Sequence, residues 1–398
     1  MIEMSEVAQA THSSPDGHIP QLRFPGFSGV WRENRLGNIA RIFDGTHQTP
    51  KYVENGIPFY SVEHITANQF DDTKYISEEV FERENMRVKL EREDILMTRI
   101  GNIGMAKYID WNVNASFYVS LALIKKNESF NSKFLSQLIH SPNFQRQLWK
   151  RTIHVAFPQK INLGEIGKCE SILPTKPEQQ KIAAFLTTVD NKIEQLSKKQ
   201  ELLGEYKKGL MQQIFSQAIR FKADDGSDFP DWKEKKLGSL CEITTGKLDA
   251  NAMVKDGQYR FYTCAKEYYK IDDYAFDTDA LIVSGNGANV GYIHHYQGKF
   301  NAYQRTYVLD SFTDNIIFVK FVLDEYLHKR IMKEKNEGNT PYIVMGTLTD
   351  MKINLPSFSE QTKIAIFLSS IDSKIEQVGK QLDESKQFKK ALLQQMFV

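Results

Sequence analysis

Few residues in this chain have the types and spacing that covalent chemistry needs. Pro230-Asp231 followed by Glu234-Lys235-Lys236 has the ingredients of a metal-dependent nuclease site, but its acids lie too close in sequence to come from separate strands. Between Gly291 and Gly298-Lys299 there are too many residues for a phosphate-binding Walker loop. His294-His295, His47 and His64 lack the spacing of metal ligands and read as scattered loop histidines. Cys169, Cys241 and Cys264 form no CxxC pair and are too few for a disulfide framework. The expectation is a chain without a catalytic group, a metal or a cofactor of its own.

The elements that would position other chemistry are easier to read, because the chain contains itself twice. Leu173 to Phe215 returns as Leu355 to Phe397 at a constant offset of 182 and without a gap. Glu178-Gln179, Lys181-Ile182-Ala183 and Phe185-Leu186 recur as Glu360-Gln361, Lys363-Ile364-Ala365 and Phe367-Leu368. Both copies open with a capping-box pattern, Thr175 to Glu178 and Ser357 to Glu360, in which the glutamate is expected to reach back to the cap. Beyond it, Leu186, Val189, Ile193, Leu196, Leu203, Leu210 and Ile214 follow a three-four spacing. The second copy supplies Leu368, Ile371, Ile375, Val378, Leu382, Leu392 and Met396. Such a stripe is a coiled-coil seam. Each helix needs a partner for it, and the other copy is one. Gln200, Lys207, Ser385 and Lys389 interrupt the seam, which should therefore be partly wet towards its end.

The segments ahead of the helices match more faintly. Phe24-Pro25 and Phe229-Pro230 precede Trp31 and Trp232, then Leu36-Gly37 and Leu237-Gly238. Asp94 to Thr98 leads into Gly101-Asn102-Ile103-Gly104 as Leu281 to Ser284 leads into Gly287 to Gly291. Short β-branched and aromatic runs between Gly, Asn and Asp turns predict a mainly β core, with helices over residues 130–149 and 315–335. The fold class is α+β: two mixed globular domains, residues 21–172 and 218–354. They alternate with helical segments 173–217 and 355–398, paired as an antiparallel coiled coil, after a loose polar tail over 1–20. With 51 basic and 50 acidic residues the chain is no polycation, so nucleic acid would have to be held by local patches. No apolar run is long enough to span a membrane and no signal core opens the chain, which points to the cytoplasm.

Two variable halves, each followed by an LP-x-x-x-EQ-x-KIA-x-FL helix, resemble the specificity subunit of a type I restriction–modification enzyme. The resemblance covers the chain from about Phe24 to its end. Asp44-Gly45-Thr46-His47-Gln48-Thr49-Pro50 and the Arg99 to Gly104 turn are similar to segments of that family's first recognition domain. The second half departs, with Gly246-Lys247-Leu248 and Ser284-Gly285-Asn286-Gly287 in their places. The resemblance implies two target recognition domains reading the halves of a bipartite double-stranded DNA site. The paired helices would be a ruler of roughly 45 Å, about 13 base pairs, docking two methyltransferase subunits. Restriction and translocase subunits would join them, and these partners would use S-adenosylmethionine, ATP and magnesium. The adenine-holding Asp/Asn-Pro-Pro-Tyr/Phe tetrad and the Phe-x-Gly-x-Gly cofactor loop of such methyltransferases are not in this sequence.

Sequence readout requires Arg or Lys on guanine, Asn or Gln on adenine and apolar contact to thymine, carried on rigid turns. The candidates in the first half are Thr46, His47, Gln48, Lys51, Arg99, Asn102, His154, Gln159 and Lys160. In the second they are Lys247, Asn286, Asn289, Gln304, Arg305, Thr306, Asn339, Thr340 and Tyr342. Off the seam, Phe185, Lys192, Glu194, Gln212 and Phe215 recur as Phe367, Lys374, Glu376, Gln394 and Phe397, and are candidates for two equivalent docking surfaces. Two other classes compete with this reading. One is a bivalent coiled-coil adaptor for proteins or glycans, whose binding would not follow the salt dependence of DNA. The other is a self-sufficient restriction enzyme, which the missing motifs disfavour.

Overall fold

The structure, a computed structural model, describes residues 18–334 and 341–398. Its contacts fall into two compact units: the chain up to Ser197 together with Lys380–Val398, and Lys198–Gly379.

The strands of the first unit are β1 (Arg32–Arg35), β2 (Ile42–Asp44), β3 (Ile57–Tyr60), β4 (Lys74–Ile76), β5 (Ile95–Thr98), β6 (Ala106–Tyr108), β7 (Ser116–Phe117), β8 (Leu121–Ile124) and β9 (Glu170–Leu173). β1 pairs antiparallel with β9, so the globular part closes where the first long helix begins. Four strands form a sheet in the order β2-β8-β5-β6, and three form another in the order β4-β3-β7. β5 and β8 are buried throughout and, apart from Thr98, apolar, because both of their faces are covered. Alternate residues divide between two cores. Ile95, Met97, Ala122 and Ile124 pack with the helices, while Leu96, Leu121 and Leu123 pack with Tyr60 and Phe117.

The second unit repeats this plan with β10 (Lys233–Lys236), β11 (Glu242–Thr245), β12 (Tyr259–Tyr262), β13 (Tyr269–Ile271), β14 (Phe276–Ser284), β15 (Ile293–Ala302), β16 (Thr306–Asp310) and β17 (Lys352–Leu355). β10 pairs with β17, and the other six strands form one sheet, β11-β16-β14-β15-β12-β13. One continuous strand, β15, lies where the first unit has the separate strands β6 and β7. Both units keep the same parallel pair, β3 with β7 and β12 with β15. The helical segments differ in a similar way. Ile316–Glu334 is one helix as far as it is described, whereas residues 130–149 do not form the single helix their period predicts. They divide into Ser132–Ile139 and Pro142–Arg151, because Ser141 caps a new helix with Pro142 in its first turn. At the start of the described chain, the Trp31 amide donates to the His18 carbonyl (3.0 Å) and Pro20 is buried, so the last residues of the expected tail are attached.

The long helices are Lys176–Phe215 and Phe358–Met396. In the first unit Leu186 and Val189 share a core with Leu392 and Met396. In the second, Ile214 shares one with Leu368 and Ile371. Leu203 and Leu210 are only half-buried, and Met211 takes the buried place beside Ile214. Two of the four interruptions of the seam are cross-helix ion pairs, whereas Ser385 donates to the Gln381 carbonyl of its own helix (2.7 Å). Lys389 pairs with Asp190 (2.5 Å) and Lys207 with Asp372 (2.6 Å), and both acids and both lysines are related by the offset of 182.

The recurring Glu-Gln dipeptide has a structural explanation that corrects part of the expected capping box, although the Ser357 hydroxyl does accept from the Glu360 amide (3.4 Å). Neither glutamate reaches back to its cap. Buried Glu178 accepts two hydrogen bonds from Arg23 (2.7 and 2.8 Å). Buried Glu360 accepts two from Arg220 (3.2 and 2.8 Å) and one from Trp232 Nε1 (3.2 Å). A paired guanidinium is a stronger partner for a buried carboxylate than one backbone amide. The glutamines tie each long helix to its globular part. The Gln179 side chain accepts from the Asn131 amide (2.8 Å) and that of Gln361 from the Asn315 amide (3.0 Å). Asn131 and Asn315 in turn cap the following helices through Phe134 and Phe318.

Candidate nucleic-acid interface

In the first unit, backbone hydrogen bonds sew separate loops into one platform. The Thr46 amide donates to the Phe117 carbonyl (3.1 Å) and the Val119 amide to that of Thr46 (3.0 Å). The Arg99 amide donates to Ser120 (2.9 Å) and the Ile161 amide to Arg99 (3.0 Å). The Gly101 amide donates to Gln159 (2.8 Å) and the Ile153 amide to Lys160 (2.8 Å). The turn at Gly101 has a positive φ of 81°, which glycine adopts without strain.

Arg99 holds this platform from inside, and its expected place on DNA is corrected. The side chain is buried, with Nε donating to the Ile161 carbonyl (3.1 Å) and Nη1 to that of Val119 (2.9 Å). Nη1 also lies 3.5 Å from Asp44 Oδ2. Burial lowers the Arg99 pKa and Asp44 opposes that shift. Arg87 holds Asp44 from the other side (2.8 Å) and also donates to the Asp44 and Gly45 carbonyls. Thr46 is buried as well and donates to the Gln48 carbonyl (3.3 Å), so it shapes its loop instead of facing a ligand. The residues left exposed are His47, Gln48, Lys51, Asn102, His154, Gln159 and Lys160. His47 lies 3.0 Å from Asp44, and His154 packs on Trp149 with ring centroids 4.7 Å apart.

The second unit builds the same platform. The Gly285 amide donates to Arg305 (2.9 Å), the Ile343 amide to Gly285 (2.8 Å) and the Gly246 amide to Thr306 (3.1 Å). Asn286 bridges to Tyr342 as Ile100 bridges to Lys160, and Gly287 repeats the positive φ at 79°. Gly285 stands in the place of Arg99, where a Cβ would collide with the Arg305 carbonyl. The Tyr307 hydroxyl donates to the Ile343 carbonyl instead (2.9 Å). Thr306 is fully buried in this frame, a second correction to the expected contacts. Asn289 is half-buried and donates to the Cys264 carbonyl (3.0 Å), and exposed Gln304 donates to Asp249 (2.9 Å). Lys247, Arg305 and Tyr342 are exposed and Asn286 is half-exposed. Asn339 and Thr340 lie outside the described residues.

The suspected nuclease acids serve as surface ion pairs. Glu234 pairs with Lys352 (2.7 Å), and Asp231 lies 3.8 Å from Arg220. Among the described residues no three His, Cys, Asp or Glu side chains are grouped to hold a metal ion, and no helix is long and apolar enough to cross a membrane. His64 accepts from the Ser61 amide (2.9 Å), His294 sits 3.1 Å from the Ala265 carbonyl and His295 pairs with Asp279 (2.7 Å).

On the long helices, Lys192, Glu194, Gln212, Lys374, Glu376 and Gln394 are exposed. Phe215 and Phe397 are not, which corrects their reading as docking residues. Phe397 packs on Phe134 and Phe215 on Phe318, each filling the core of its unit. Phe185 and Phe367 are half-buried and meet Phe24 and Phe221 edge-on, both at 5.5 Å. Sequence reasoning missed Asp44, Arg87 and Tyr307. The replacement of Arg99 by Gly285 was the available signal, since losing an arginine at a repeated position requires another group to do its work.

These features define a duplicated scaffold, each unit of which presents different polar side chains on the same loop frame. A family model described as the type I restriction modification DNA specificity domain matches this chain twice, over residues 29–203 and 230–385. The chain belongs to that family. It is 43% identical over 168 residues to the type I restriction enzyme EcoDI specificity subunit of Escherichia coli, a match covering 41% of this chain and 37% of that one. The chain thus spans little more than a third of the length of that relative. To the type I restriction enzyme MjaVIII specificity subunit of Methanocaldococcus jannaschii it is 26% identical, across 91% of each chain. The crystal structure of a type I restriction-modification system S subunit from M. genitalium has the same fold, with a TM-score of 0.67 over 96% of this chain and 99% of that one at 17% identity.

Proposed function

We propose that this chain supplies the address of a type I restriction–modification complex and none of its chemistry. The globular parts, residues 21–172 and 218–354, each read one half of a bipartite duplex site. The helical segments 173–217 and 355–398 set the spacer between the halves. Two adenine-N6 methyltransferase subunits dock on the helices through the exposed Lys192, Glu194 and Gln212 and their repeats Lys374, Glu376 and Gln394. Restriction and translocase subunits join this core in the cytoplasm. These partners bring S-adenosylmethionine, ATP and magnesium.

One observation carries the reading. The same hydrogen-bonded platform occurs in both units, yet matching places hold different side chains, such as Lys160 against Tyr342. A conserved frame with exchanged polar groups is what two half-sites of different sequence require. His47, Gln48, Lys51, Asn102, His154, Gln159 and Lys160 are the DNA-contacting side chains of the first unit. In the second they are Lys247, Asn286, Gln304, Arg305 and Tyr342.

The test is a single-molecule methylome of cells expressing the chain with its methyltransferase partner, against cells lacking the chain. A new bipartite adenine-methylation motif is expected. Its absence beside an active partner would overturn the reading. A second arm inserts one residue after Ser197, which turns the downstream helix by about 100°. Undiminished methylation at the same spacer would refute the ruler.

A further inference from the structure

From the loop that follows the helix Pro142–Arg151 we infer that Phe157, with Val155 beside it, is an apolar wedge that enters a base step of the half-site read by the first unit. This rests on reading that unit as a DNA reader. Phe157 is 104% exposed and Val155 96%, and Trp149 at the base of the loop is 66% exposed. Large apolar side chains held in water forgo the stabilisation that burial gives, so a projecting group of them marks a contact surface.

The projection is framed rather than loose. The Ile153 amide donates to Lys160 (2.8 Å), Lys160 also bridges to Ile100, and the Gly101 amide donates to Gln159 (2.8 Å). The apolar tip therefore stands on the same frame as Asn102, Gln159 and Lys160. Charge identifies the occupant. Between Glu128 and Glu165 the chain has no acid and five cations, Lys133, Arg146, Lys150, Arg151 and Lys160, although it carries 50 acids overall. An aromatic tip on a segment of that charge, with exposed Lys150 on the preceding helix and exposed Lys160 in its frame, suits a polyanion whose stacked interior is apolar. Inserted apolar side chains unstack one step of a duplex and kink it.

The experiment uses the full chain and a duplex carrying the bipartite site found by the methylome, with 2-aminopurine placed in turn across both halves. Binding should raise its fluorescence at one step, in one half only. Phe157→Ala should abolish the rise and weaken binding by about tenfold, the scale of one lost base–aromatic stack, while Phe157→Leu keeps part of it. The melting temperature should not move, because this side chain is fully exposed. Specific binding without a rise at any step, or a rise that survives in Phe157→Ala, overturns the wedge. So does an unchanged DNA affinity with lost capture of the methyltransferase, which would make the tip a protein contact. A wild-type chain that binds no such duplex would instead defeat the DNA reading itself, and the wedge with it.

Discussion

In the first unit the carbonyl of Ile161 is held by the guanidinium of Arg99, and in the second the equivalent carbonyl of Ile343 is held by the phenol of Tyr307. The two groups come from different strands. Arg99 follows β5 and leans on Asp44 at the end of β2, whereas Tyr307 lies in β16 and fills space that Gly285 leaves open. What both units preserve is the backbone frame, and the staple beneath it can change chemistry and position. A surface carried on such a frame can be rewritten without moving the loops.

A second contrast is quantitative. Arg23 is almost fully buried against Glu178, while Arg220 is a quarter exposed and shares Glu360 with Trp232. Removing Arg23 strands a buried carboxylate, so Arg23→Ala should cost about 3–5 kcal/mol. Arg220→Ala should cost distinctly less, because Trp232 and water remain as partners. Urea titrations of the two variants check this, and equal losses would mean that burial does not separate the sites.

Next in size are the staples. Arg99→Met leaves the buried Ile161 carbonyl and the part-buried Val119 carbonyl without a charged donor and should cost about 2–4 kcal/mol. Tyr307→Phe removes one hydrogen bond and should cost about 1–2 kcal/mol. Methylomes sharpen the comparison, since each variant should blur recognition in one half-site only. Loss of both halves together would show that the platforms are not independent.

The cross-helix ion pairs are weaker because they are partly exposed. Asp190→Lys should cost about 0.5–1 kcal/mol, and adding Lys389→Asp should restore it. The same cycle at Lys207 and Asp372 differs in two ways: Asp190 also accepts from Gln137 (2.6 Å), and Lys207 lies 4.8 Å over the Phe321 ring and gains from that contact.

The smallest expected effect is on acid stability. His140 in the first unit and His294 in the second have their pKa lowered, chiefly by burial. Below the ordinary imidazole value of 6.5 the unfolded chain takes up protons that the folded chain refuses. Stability is therefore full above that pH and falls as pH drops towards the folded-state values. His140→Asn should flatten the decline that sets in below the ordinary imidazole value of 6.5, as followed by thermal melts, and an unchanged slope would assign it elsewhere.

The repeat, the long helices and most of the seam were legible because they are local and periodic. A stripe such as Leu186, Val189 and Ile193 tells which face of a helix is apolar, and the second copy shows where the partner lies. The division of β5 and β8 between two cores follows from strand alternation. The fates of Arg99, Thr46, Thr306, Phe215 and Phe397 were not legible. Each is polar in a turn or apolar off a seam, and its surroundings come from residues distant in sequence. Arg23 meets Glu178 across 155 positions, and Arg99 meets Ile161 across 62. By itself the sequence determined a duplicated pair of heads on pairing helices, because periodicity records which surfaces must leave water. Only the tertiary structure decided which polar side chains hold the frame and which face outward, because a buried donor is satisfied by whatever acceptor the fold brings to it.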